Sequence, residues 1–334
     1  MKQSESSGLS HRPCLAFGGC SSILGPRELR DAGGSPRPLI HRAVPCADMS
    51  AATPIVLIHG FWHGAWCWSP LVEEFASRGL PAVAVDMEGH GLNARAPASR
   101  WSRPFDPAAY ATEPSPRAAV TATSAAARIA AQLRRIGRGQ PCLVVAHSMG
   151  GAVATALTEM VPELVAGLVY VAAFAPTHGP AVAYLQVPEN EGSIPHTVVA
   201  ADPAVVGAMR FDTGNAEIHA ALREAFYADV DPDVADAAIA LLTPDSPIAM
   251  ATDPVTVTEE RYGRVRHTYV VCAQDNAVRP ALQRRFVREI DAVSAAPTTV
   301  VELDSSHSPF LSQPMALADA LEQALLASAG TPAR

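Results

Sequence analysis

Leu143-Val144-Val145-Ala146-His147-Ser148-Met149-Gly150-Gly151 constrains this chain more than any other stretch. An apolar run ends in a turn that holds Ser148 between Ala146 and Gly150, and an Ala-rich run of helical period follows. Strand, sharp turn and helix in that order project the serine hydroxyl from the strand end. They also demand small neighbours, because strand and helix pass close together there. Ala146 stands where the G-x-S-x-G pattern has its first glycine, a departure of one methyl group.

The same alternation runs along most of the chain. Pro54-Ile55-Val56-Leu57-Ile58-His59 reads as a buried strand, followed by a turn dense in glycine and aromatics through Trp68. Residues 66–78 have helical spacing that Gly79 stops, and residues 80–85 form the next strand. A proline-rich excursion over 92–118 is longer than an ordinary connection and is predicted to be a binding loop. Helices are predicted over 120–136, 150–160, 279–290 and 309–328, and strands over 141–145, 166–172, 265–272 and 298–303. Between 176 and 253 the rhythm breaks into short helical pieces (203–209, 216–227, 234–242), which predicts a helical insertion.

Strands alternating with helices imply an α/β fold, a mostly parallel sheet covered by helices on both faces. Its core spans residues 53–175 and 254–330, with 176–253 inserted between the halves. Residues 1–52, rich in Ser, Gly, Pro and Arg, are read as a disordered extension on which function should not depend. Ligands in such sheets bind beyond the carboxyl ends of the strands, where Ser148 falls.

Composition excludes several functions. The 334 residues carry a formal net charge of −8, Lys2 is the only lysine, and no basic block marks a nucleic-acid site. No run of 18 apolar residues exists to span a membrane. Cys14, Cys20, Cys46, Cys67, Cys142 and Cys272 form neither a C-x-x-C pair nor a zinc-like cluster with histidine. The expectation is a reduced, cytoplasmic protein with no metal and no disulfide framework.

Five pieces in one order carry a resemblance: His59-Gly60 with His63-Gly64-Ala65-Trp66, Gly89-His90-Gly91, the Ser148 turn, Gln274-Asp275 and Ser306-His307. With them residues 54–330 resemble the α/β-hydrolase family, closest to its small esterase and hydroxynitrile-lyase branch. The resemblance implies Ser148 as nucleophile, His307 as base and Asp275 as the acid that fixes the imidazole tautomer. Asp304 competes with Asp275, and Asp253 and Asp291 are weaker rivals; the family pattern favours Asp275. The backbone N–H groups of Phe61 and Met149 are the implied oxyanion donors. His59, His63, His90 and His147 are expected to support the site rather than transfer protons.

Lyase relatives carry a hydroxyl residue where this chain has Gly60 and a lysine where it has Ser308, so the resemblance favours hydrolysis. Phe61, Trp62, Trp66, Met149 and Tyr184 are candidate apolar lining, with Trp62 and Tyr184 placed in the substrate pocket. Residues 176–253 are expected to form a lid that excludes water. The expected substrate is an ester, lactone or thioester of a hydrophobic small molecule, cleaved with no cofactor. An acyltransferase or cyclising thioesterase would use the same residues, and a silent small-molecule binding protein would share the fold.

Overall fold

The structure is a computed structural model and describes residues 52–329. The extension expected over 1–52, but for its last residue, and Cys14, Cys20 and Cys46 lie outside the described residues.

Six parallel strands form the sheet: β1 (Ile55–Ile58), β2 (Ala82–Val85), β3 (Cys142–His147), β4 (Val165–Val171), β5 (His267–Cys272) and β6 (Thr299–Leu303), in the order β6-β5-β4-β3-β1-β2. The inner strands are mostly apolar because both faces are covered, with His147, His267 and Thr268 as buried exceptions; the edge strands β2 and β6 are partly exposed. Val56, Ile58, Val144, Ala146, Leu168 and Tyr170 face one core, which includes α2 (Ala122–Ile136), α3 (Gly150–Met160) and α6 (Pro280–Asp291). Ile55, Leu57, Leu143, Val145, Val169 and Val171 face the other, with α1 (Ser69–Ser77) and α7 (Pro314–Ala329). The period-two alternation of strand side chains sorts them into these two layers.

Local signals set the helix ends. Thr121 and Ser124 form a reciprocal capping box that starts α2, and Gly79 follows α1 at φ +71°. Cys67, Cys142 and Cys272 are buried free thiols, and no helix among the described residues is long and apolar enough to cross a membrane.

The chain leaves the core after β4 and rejoins it before β5 through a short antiparallel ladder, His178–Pro180 against Pro254–Thr256. Within the excursion lie α4 (Ala216–Phe226), capped by Asn215, and α5 (Pro232–Ala240), capped by Asp231. The predicted helix over 203–209 ends at Val206, because Gly207 turns left-handed at φ +71°. Ala208–Arg210 then pairs with Asp245–Pro247 as a second ladder. Three-residue strands are too short to show a period, so both ladders were invisible in the sequence.

The buried Arg210 guanidinium grips Asp245 through two bonds (Nε–Oδ1 2.6 Å, Nη2–Oδ2 2.7 Å) and donates to the carbonyls of Tyr110 and Glu113. The 92–118 excursion is thereby tied to the second ladder. It folds into short helical turns and the helix Pro107–Thr112, and none of its residues lines the cavity at Ser148. Away from Ser148, the excursion reaches and holds Arg210.

Candidate active site

Ser148 follows β3 directly and sits at φ +52°, a conformation that non-glycine residues rarely adopt. Its carbonyl accepts from Gly151 N (3.0 Å) and Phe174 N (2.9 Å), which locks the turn. The two glycines after Met149 are required by space. A Cβ on Gly150 would lie 2.3 Å from the His59 carbonyl oxygen, and one on Gly151 would lie 2.2 Å from that of Phe174. Gly60 is equally constrained, since its Cβ would fall 2.6 Å from Ser148 Cβ. The start of α3 thus rests on the backbone that follows β1 and β4, and the serine is held between them.

Asp275 and His307 follow the carboxyl ends of β5 and β6, and both are buried. His307 Nδ1 lies 2.8 Å from Asp275 Oδ2. A charged carboxylate only accepts, so the imidazole donates from Nδ1 and its Nε2 is left bare. That Nε2 is buried and has no hydrogen-bond partner among the described residues. The His307 ring packs 4.4 Å, centroid to centroid, from that of His147, the neighbour of Ser148, and His147 Nε2 donates to the His307 carbonyl at 2.9 Å.

The Asp275 carboxylate is fully engaged. Oδ1 accepts the amides of Ala277 (2.7 Å) and Val278 (2.9 Å); Oδ2 accepts Gln283 Nε2 (3.0 Å) besides the imidazole. Gln283, buried on α6, escaped the sequence reading, for its only signal was a polar residue on the inward stripe of that helix. The rival acids lie elsewhere: Asp304 is exposed and accepts from Gln274, Asp253 from the Thr123 amide, and Asp291 from the Thr298 amide.

The loop after β1 carries Phe61. The Gly60 carbonyl accepts from His59 Nδ1 (2.7 Å), and His59 Nε2 accepts the Met87 amide (3.1 Å). In a trans peptide N–H and C=O point opposite ways, so the Phe61 N–H is turned away from His59. Neither the Phe61 nor the Met149 amide is taken by a loop or turn hydrogen bond among the described residues. His63 Nδ1 donates to the Phe61 carbonyl (2.8 Å) and its Nε2 meets Tyr227 OH (2.8 Å). Burial pushes the imidazoles of His59 and His147 well below 6.5, that of His63 to about 3 and that of His90 to about 4; all four are neutral scaffolding at pH 7.

A narrow cavity of about 40 Å³ opens on Ser148. Phe61, Trp62, Met149, Phe174, Met209 and Phe226 supply most of its apolar wall; Met209 and Phe226, with Leu185, Pro195 and His196, come from the excursion between β4 and β5. Tyr184 does not line it. Its hydroxyl donates to Glu289 (2.6 Å), Arg285 stacks over its ring, and it packs on Phe286; the next residue, Leu185, faces the cavity instead. Trp66 stacks on His63, and Trp68 is buried against Phe310. His196 was missed: an isolated histidine in an irregular segment carries no pattern.

Comparisons with known proteins agree with this architecture. A methyl jasmonate esterase of Vitis vinifera is 26% identical over 80% of this chain and 95% of its own length. A pyrethroid hydrolase of Sphingobium wenxiniae is 28% identical over 80% of this chain and 86% of its own. Among solved structures, a pyrethroid hydrolase from Sphingobium faniae superposes with a TM-score of 0.61 at 22% identity, covering 84% of this chain and 100% of that one. Residues 55–320 match the alpha/beta hydrolase family, and the chain belongs to it.

Proposed function

We propose that the protein is a serine esterase that cleaves carboxylic esters of hydrophobic small molecules. One observation carries the reading: the buried Asp275–His307 pair at 2.8 Å, which leaves a bare Nε2 on a ring packed 4.4 Å from that of His147, the residue before Ser148. A serine hydroxyl needs such a base to become nucleophilic at neutral pH.

In the proposed cycle Ser148 Oγ attacks the ester carbonyl while its proton passes to His307 Nε2. The Phe61 and Met149 amides stabilise the oxyanion, and Asp275 stabilises the imidazolium. His307 then protonates the departing alcohol. Water, deprotonated by the same Nε2, attacks the acyl-enzyme and releases the acid and the serine. Residues 176–253 act as the lid. The apolar wall favours an apolar acyl or alcohol group, in keeping with relatives named for methyl jasmonate and pyrethroid esters. The absence of room for any side chain at Gly60 argues against the lyase chemistry of the wider branch, which uses a hydroxyl residue there.

Ser148→Ala should lose at least about a thousandfold in turnover of p-nitrophenyl butyrate, with unchanged circular dichroism. It should also lose labelling by a fluorophosphonate. Full turnover by this variant would overturn the reading.

A further inference from the structure

The segment between β4 and β5 takes hold of the loop that carries Phe61. Trp62, next to Phe61, sits at φ +62°, in the left-handed region that side-chain-bearing residues avoid. Every polar group of this residue is bonded to the segment between β4 and β5. Its amide donates to Ser246 Oγ (2.8 Å), its indole Nε1 to the Met209 carbonyl (2.9 Å), and its carbonyl accepts the Thr243 amide (2.7 Å). Met209 and Ser246 are cross-strand partners in the second ladder, one step from the Arg210–Asp245 ion pair that staples its strands.

Ser246 is the node. It is fully buried, and its Oγ also lies 3.0 Å from His90 Nε2. Oγ accepts the Trp62 amide. His90 is neutral and donates from Nδ1 to the Glu88 carbonyl at 3.2 Å, so its Nε2 accepts the Ser246 hydroxyl proton. The His90 ring stacks on that of Phe61 at 5.7 Å.

The Phe61 amide belongs to the Gly60–Phe61 peptide, whose carbonyl is held by His59. The next peptide is held at its carbonyl by His63 and at its N–H by Ser246. Phe61 therefore lies between two pinned planes, one pinned by the core and the other by core and lid together. We propose that Ser246 is a positioning residue of the oxyanion hole: through the Trp62 amide it aims the Phe61 N–H, so the lid is part of the machinery that stabilises the oxyanion as well as a cover. This rests on the esterase reading and adds a requirement to it. The ladder carrying Ser246 stays seated while substrate enters, because lifting it would disassemble the hole.

Ser246→Ala removes the acceptor of the Trp62 amide without adding bulk. The expected result is a kcat about ten- to thirtyfold lower on p-nitrophenyl butyrate, with KM within about threefold. That loss is smaller than the hundredfold or more for deleting an oxyanion donor outright. An apolar trifluoromethyl ketone, which adds to Ser148 and places an oxyanion in the hole, should lose affinity by the same factor as kcat. A residue that only supported the fold would lower the melting temperature without this pairing. Unchanged kcat and inhibitor affinity overturn the proposal, and so does a loss confined to KM. If Ser246→Ala does not fold, Ser246→Cys, which puts a weak thiol acceptor where the Trp62 amide has a hydroxyl, is measured instead. It should show the same paired loss, several-fold in size, and its absence overturns the proposal. Failure of the esterase reading is separate: wild-type protein would then show neither ester turnover nor fluorophosphonate labelling of Ser148.

Discussion

Asp275→Asn tests the proton logic of the site, because the structure leaves the new side chain no comfortable orientation. The carboxylate receives four donors, two on each oxygen. Asparagine offers one acceptor oxygen and one NH2 group. If the NH2 replaces Oδ1, it confronts the amides of Ala277 and Val278, which cannot move their protons. If it replaces Oδ2, it confronts Gln283 Nε2 and His307 Nδ1. Gln283 is pinned by its Oε1, which accepts the Cys272 amide (3.0 Å), and by its Nε2 on the Val278 carbonyl (2.7 Å). The imidazole has the one escape: it carries its proton on Nε2 and accepts at Nδ1. In that tautomer Nε2 cannot take the proton of Ser148.

The expected loss in kcat is about 10⁴-fold, as for the same tautomer error in serine proteases, or about 5 kcal/mol of activation free energy. Losing a bond to a charged acceptor also costs stability, about 1.5–3 kcal/mol for each, so the melting temperature is measured on the same sample. The assay is initial-rate hydrolysis of p-nitrophenyl butyrate at a temperature where circular dichroism shows the variant folded. Asp304→Asn is the control. Its exposed side chain serves only Gln274 among the contacts described, and its rate should stay within about twofold. A folded Asp275→Asn within tenfold of wild type would refute the reasoning, and an equal loss in Asp304→Asn would move the acid.

Three further outcomes follow from the packing. The unfolded chain protonates His59, His63, His90 and His147 near pH 6.5, while burial keeps them neutral in the fold, His63 down to about 3 and His90 down to about 4. Their contribution to stability is therefore complete above pH 6.5 and is lost as pH falls toward 4, at up to about 1.4 kcal/mol per group per pH unit; urea midpoints that stay level between pH 7 and pH 5 would contradict this. Arg210→Met strands the buried Asp245 and should destabilise by about 3–5 kcal/mol in urea unfolding, whereas Arg210→Met with Asp245→Leu should recover much of that loss. His196 lines the cavity with its Nδ1 buried and unpartnered among the described residues, so His196→Leu should spare wholly apolar esters and slow those bearing a nearby hydroxyl or carbonyl about fivefold, read as a ratio of kcat/KM values.

What the sequence reveals about this protein divides along the range of the interactions. β1, β3 and β4 were legible because burial on both faces writes an unbroken apolar run. Ser148, Asp275 and His307 could be nominated because each follows the carboxyl end of a predicted strand within a few residues, with the family resemblance needed to prefer Asp275 to Asp304. Tyr184 was misplaced for the opposite reason. It sits in a stretch without period, where neither face can be inferred, and its ring turned toward Arg285 and Glu289 while Leu185 took the cavity. The bond from Trp62 to Ser246 spans 184 positions, and that from Tyr110 to Phe211 spans 101. Neither end of such a bond alters the local pattern that would announce it. The excursion between β4 and β5 has little sheet of its own, so its stability comes from bonds of this kind to the core loops and from burying Phe211, Leu222, Phe226, Tyr227 and Ile239 in the core. It must therefore fold against the Phe61–Trp62 loop that it holds. A substitution that loosens Ser246 or Arg210 should for that reason appear first as lost turnover and only later as lost fold, with the left-handed Trp62 the first residue to relax.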